Sequence, residues 1–160
     1  MAPIPEWEFD PSTLLVKVEV TLNADLENIN DVVDRVLGMM KAMQCGCGKE
    51  FEVETALRES LANAIIHGCK NDSEKEVCCT VACDEERGML IVVRDPGPGF
   101  DPAKLANPTR GESLFSDHGR GIFMINQLVD EVSHGAGGTE IRMRVRGGRP
   151  CDDPAVFWKQ

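Results

Sequence analysis

The sequence predicts an α+β fold: a two-layer sandwich with a mostly antiparallel sheet and helices on one face. Three observations carry this. Strand-like and helix-like periodicities follow one another along the chain with no internal repeat and no interdomain linker. Two strand-like runs are separated only by a short turn, which makes them an antiparallel hairpin. The 160 residues suffice for one hydrophobic core without metal or disulfide support.

Each element has a local reason. LLVKVEVTL, Leu14 to Leu22, is rich in β-branched residues and alternates near its end, so it reads as a strand. Asn23 or Asp25 then caps a helix carrying Leu26, Ile29, Val33, Val36 and Leu37. A second helix runs roughly from Val53 to Gly68. At about 100° per residue, Leu57, Leu61 and Ile65 fall in one apolar stripe, with Val53 and Ala64 on its flank. VCCTVAC (Val77 to Cys83) and MLIVVR (Met89 to Arg94) are the hairpin strands, closed by DEERG. DPGPGFDP cannot be regular structure, and Pro102 to His118 reads as a polar, mobile loop. GIFMINQLVDEV returns to helical spacing through Ile122, Ile125, Leu128 and Val129. TEIRMRVR alternates: Ile141, Met143 and Val145 share one face, and Arg142, Arg144 and Arg146 are expected on a solvated one. The expected domain is 1–146, with 147–160 as a tail.

Composition narrows the function classes. The net charge of −10 argues against a nucleic-acid partner, which needs basic surface. Residues 1–100 carry that whole imbalance, so an anionic ligand fits better against the C-terminal part. MAPIPEWEFD has no basic region leading into an apolar run, and no stretch reaches 18 apolar residues. A cytoplasmic protein with no membrane partner is therefore expected. Seven cysteines, an odd number, argue for thiols rather than a disulfide framework, and their spacings lack the paired C-x-x-C of zinc sites. GCGK around Gly48 is not a P-loop, because the first glycine is missing and Glu50 stands where Ser or Thr is needed.

Four features then fall in a fixed order. Glu59 and Asn63 lie one turn apart on the second helix, opposite its apolar stripe. Asp95-Pro96-Gly97-Pro98-Gly99-Phe100 follows a strand, Gly119-Arg120-Gly121 opens a helix, and Gly137-Gly138-Thr139 opens the last strand. Each alone is weak; together they supply what a nucleotide site needs. A strand-end carboxylate accepts the hydrogen bond of an adenine amino group, and glycines beside it let backbone approach a flat ring. Glycine N–H groups at a helix N-terminus suit phosphates. An amide oxygen at Asn63 suits Mg²⁺, which takes few protein ligands and keeps several waters.

These boxes resemble the GHKL ATPases, whose fold is the Bergerat ATP-binding sandwich, and most closely their small branch of anti-sigma-factor serine/threonine kinases. ESLANAIIHG resembles the N box, DPGPGF the first glycine box, GRGIFMINQLVDEV the second and GGTEIRM the closing one, so the likeness covers roughly Leu14 to Arg146. The resemblance implies that Asn63 binds Mg²⁺ and Asp95 the adenine amino group. It implies that Gly97 and Gly99 frame the base, that Gly119, Arg120 and Gly121 hold phosphates under the preceding loop, and that Thr139 sits near the adenine end. Glu59 would be the general base. Histidine kinases of the superfamily usually carry Asn at that place, since a neutral imidazole already offers a lone pair. A serine hydroxyl benefits from a base, by about 10²- to 10⁴-fold. The implied activity is ATP- and Mg²⁺-dependent phosphorylation of a serine on an antagonist (anti-anti-sigma) protein by an anti-sigma factor, in a possible homodimer. The alternative is an ATP-binding module that sequesters a signalling partner without phosphotransfer. His67 is expected to pack rather than react, and Cys69 lacks a base that would make it a nucleophile.

Overall fold

A computed structural model describes residues 12–46, 48–84, 88–98 and 117–146. The expected strand β1 spans Leu14–Asn23. The Asp25 carboxylate accepts the Glu27 N–H at 3.0 Å and opens a 3₁₀ turn, Leu26–Asn28, that leads into α1, Ile29–Met43. Of the two capping residues the sequence offered, Asp25 is the one used. Helix α2, Glu50–Asn63, carries straight on into a π-turn, Ala64–Gly68. Strands β2 (Glu76–Asp84) and β3 (Gly88–Arg94) follow, then α3 (Asp117–Leu128), β4 (Glu131–Gly135) and β5 (Glu140–Val145).

The strands form one sheet in the order β1-β2-β3-β5-β4, with every pairing antiparallel. Alternation along each strand divides its side chains between two faces. Val77, Cys79, Val81 and Cys83 of β2 point to the helices, as do Met89, Ile91 and Val93 of β3 and Met143 and Val145 of β5. They meet Val33, Val36 and Met40 of α1, Val53, Leu57 and Leu61 of α2, Ile65, and Ile125 of α3. The stripe Leu57, Leu61 and Ile65 is fully buried, so it anchors α2 to the sheet as its spacing predicts.

Three expectations need correction. The third helix was expected through Val132, but it ends at Leu128, and Glu131–Gly135 is an edge strand. Asp130 N–H donates to the Arg144 carbonyl at 2.9 Å where that pairing begins. A five-residue strand whose partner lies across a turn leaves little local pattern, and the apolar spacing Ile125, Val129, Val132 also fits a helix.

The outward face of β5 is not simply solvated. Arg144 is 5% exposed and pairs with Glu131, while Glu140, 4% exposed, lies between Arg94 and Arg142. Register decides this, because Arg94 sits directly opposite Glu140 and Glu131 opposite Arg144.

Cysteine use also differs. Cys45, just after α1, is disulfide-bonded to Cys83 of β2, with Cα atoms 6.2 Å apart. Cys69, Cys78 and Cys79 are free thiols, and burial pushes Cys79 up to about 12.

Gly99, the expected loop over Pro102–Ser116 and the tail 147–160 lie outside the described residues. Among the described residues no helix is long and apolar enough to cross a membrane.

Candidate functional site

Helix α2 presents its second face beneath α3. Glu59 and Asn63 are half-buried, one turn apart, on the side away from the core stripe. Gly121 of α3 comes down onto them: a Cβ built there would lie 2.9 Å from Glu59 Oε2 and 3.2 Å from Asn63 Nδ2. Only glycine lets the two helices approach this closely without moving the acid and the amide. Because α3 already begins at Asp117, Gly121 lies beyond the first turn, where its N–H has a helical acceptor. Its role here is close approach rather than a free donor. Gly119 falls within the first turn, among the N–H groups a helix leaves without helical partners. The side chain of Arg120 lies outside the described residues.

The other end of the site is built where β3 stops. Asp95 N–H donates to the Thr139 carbonyl at 2.9 Å, extending the β3–β5 ladder by one bond and bringing those two residues together. The Gly97 N–H turns back to the Asp95 carboxylate, 2.8 Å from Oδ1. Burial pushes the Asp95 carboxyl up from its ordinary value, and the Gly97 hydrogen bond draws it partly back down. Cys69, fully buried, stands nearby; burial first and the Asp95 charge second raise its thiol, which suits an inert filler rather than a nucleophile. His67 is exposed.

Two contributions went unread in the sequence. Gly68, the last residue of the π-turn, lies against Asp95 so closely that an added Cβ would overlap the carboxylate. Arg94, immediately before Asp95, is fixed by Glu140: its Nε and Nη2 donate to Glu140 Oε1 at 3.1 and 2.5 Å. Arg142 Nε donates to the other oxygen at 2.7 Å. Burial alone would raise Glu140, but hydrogen bonds and charge from Arg94 and Arg142 hold it below the usual carboxylate range. This brace lies one residue from Asp95 on one strand and one residue from Thr139 on the other. Strand alternation alone could have grouped Glu140 with the arginines of β5, but Arg94 enters only through register.

The cleft therefore runs along one helix, from Glu59 and Asn63 at α3 to Gly68 at Asp95. Nine residues separate its ends, roughly 13 Å at helical rise. A carboxylate and an amide stand at one end and a strand-end carboxylate at the other, with glycine backbone packed against both.

Residues 22–145 match the histidine kinase-like ATPase domain family, and the chain belongs to it. ATP binding goes with that membership. Within it, the likeness is to anti-sigma-factor serine kinases, at a distance. The chain is 31% identical over 84 residues to the anti-sigma F factor of Priestia megaterium, a match covering 51% of this chain and 56% of that protein. It is 24% identical over 121 residues to the serine-protein kinase RsbW of Bacillus subtilis, covering 72% and 75% respectively. The solved RsbU and RsbW domains of Rv1364c from Mycobacterium tuberculosis share the fold with a TM-score of 0.58 at 22% identity, over 84% of this chain and 33% of that one.

Proposed function

We propose that the chain is an ATP- and Mg²⁺-dependent protein serine kinase acting as an anti-sigma factor: it holds a sigma factor and phosphorylates a serine on an antagonist protein. One observation carries the choice of serine. A carboxylate, Glu59, stands beside Asn63 under Gly121, where a phospho-acceptor hydroxyl needs a base. Relatives named serine-protein kinase and anti-sigma F factor support the same reading.

The residues present fit ATP and Mg²⁺. The glycine at 121 leaves open the space a Cβ would fill beside Glu59 and Asn63, and the half-buried Asp95 carboxylate offers Oδ2 to a base while Oδ1 takes the Gly97 N–H. ATP with Mg²⁺ supplies the transferable phosphoryl group and the charge that neutralises it. Asn63 presents its amide oxygen to the cation, and the first turn of α3, including Gly119, offers N–H groups to phosphate. Asp95 accepts the adenine amino group, with Thr139 beside it and Gly97 and Gly99 framing the base. Glu59 takes the proton of the serine hydroxyl as that oxygen bonds to phosphorus, so the attacking group is not left cationic.

The test is phosphotransfer from radiolabelled ATP, with Mg²⁺, to the antagonist protein encoded beside this chain. Wild type labels the antagonist; Glu59→Ala binds ATP but labels it about 10²-fold or more slowly. A wild type that binds ATP and labels nothing overturns the kinase reading in favour of a module that sequesters its partner in response to ATP.

A further inference from the structure

The π-turn at the end of α2 is the one irregularity in a helix that otherwise follows its sequence pattern. Cys69 N–H reaches back five residues to the Ala64 carbonyl at 2.8 Å, and Asn71 N–H reaches the Ile65 carbonyl at 2.9 Å. Such turns insert one residue into a helix and commonly stand at functional sites. Here the turn carries Gly68 into the end of β3. Its φ is not in the left-handed region, so conformational freedom is not what this position requires. Space is: a Cβ on Gly68 would overlap Cγ and Oδ1 of Asp95 and come within 2.6 Å of Oδ2. Gly97 is confined from the other side, since a Cβ there would overlap the Gly68 carbonyl and lie 2.8 Å from Asp95 Oδ1. The carboxylate is thus held between the backbones of two glycines, one of which also donates to it.

We infer that Gly68 is a positioning residue for base recognition: the backbone of the π-turn fixes where the Asp95 carboxylate points, and so sets the preference for a base bearing an amino group. The inference rests on the reading of Asp95 as the adenine acceptor, but the contact can be tested without nucleotide. Ion-assisted hydrogen bonds are directional and strong. A methyl group at position 68 that swings the carboxylate away should remove most of that bond, a loss of about ten- to a hundredfold in affinity.

The experiment is a double-mutant cycle of Gly68→Ala and Asp95→Ala, read in two ways. Thermal melting reports the contact. Gly68→Ala should lower Tm by about 5 °C or more beside Asp95, and should be neutral or stabilising in the Asp95→Ala background, where no carboxylate is left to displace. Should Gly68→Ala fail to fold, recovery of folding in the double variant supports the same contact. Equal loss in both backgrounds overturns the inference.

Affinity for ATP and for purine riboside triphosphate, which lacks the amino group, reports the function. Wild type should favour ATP by about tenfold or more, and Gly68→Ala should lose that preference while keeping its affinity for the analogue. Undiminished preference for ATP in Gly68→Ala overturns the positioning role. If Asp95→Ala keeps the full preference, the adenine reading of Asp95 fails, and the role in base selection fails with it, while the melting cycle still reports the contact.

Discussion

Replacing Gly121 by alanine should separate stability from chemistry. The added methyl carbon would lie 2.9 Å from Glu59 Oε2 and 3.2 Å from Asn63 Nδ2, so both side chains must yield. For the fold this is nearly free. Glu59 is half-buried and meets the methyl only with the far end of a flexible chain. Driving it off its rotamer costs about 0.5–1.5 kcal/mol, and alanine in a helix interior recovers about 1 kcal/mol over glycine. The net is within about 1 kcal/mol of zero, a Tm change of at most about 4 °C for a chain of this size. For the chemistry it is severe, because a misplacement of about 1 Å in a reacting group costs about 10²-fold. Calorimetry or a dye melt, run beside the phosphotransfer assay, should therefore show an almost unchanged melt and about a hundredfold slower labelling. Wild-type labelling would mean that the base is not at this contact. A melt lower by 10 °C or more would mean that Gly121 serves packing, not the site.

Two further outcomes follow from the sheet. Glu140 is held below the usual carboxylate range, so its stabilising effect is complete above the unfolded-state value near 4.3 and is lost as pH falls through the lowered native value. Glu140→Gln should lower stability by about 2 kcal/mol at pH 7, between the values for exposed and buried pairs because Arg94 is 63% exposed. The gap from wild type should close in acid, and pH-dependent urea melts that stay parallel down to pH 2 would contradict it. The Cys45–Cys83 bond closes a sequence separation of 38 residues, so Cys83→Ala, or reduction, should destabilise by about 2–4 kcal/mol. Thiol titration of the unfolded chain should show two more free thiols after reduction than before, and a melt indifferent to dithiothreitol would speak against a structural role.

Much of this was legible from local pattern. The stripe Leu57, Leu61, Ile65 and the alternation of β5 each state which face is buried, because helix and strand periods are local properties. The pairing of Glu59 with Asn63 needed only helix geometry. What escaped was set by contacts between distant segments. Strand β4 takes its identity from β5, the burial of Arg144 from the register with Glu131, and the bond between Cys45 and Cys83 from the packing of the α1–α2 turn on β2. Gly68 was hidden for a similar reason. A glycine at the end of a helix usually reads as a C-cap, and nothing in IIHGCK says that Asp95 lies against it.

The π-turn also gives the two ends of the cleft a phase relation. One residue more than α-helical geometry needs is stored between Asn63 and Cys69. Deleting a single residue there would let the segment relax to an ordinary helix, turning whatever follows by about 100° and leaving Glu59 and Asn63 in place. The base-reading end could thus be re-indexed by a one-residue insertion or deletion while the catalytic end stays fixed. Length variation at this point is then a means of changing which base is read without rebuilding the machinery that transfers the phosphoryl group.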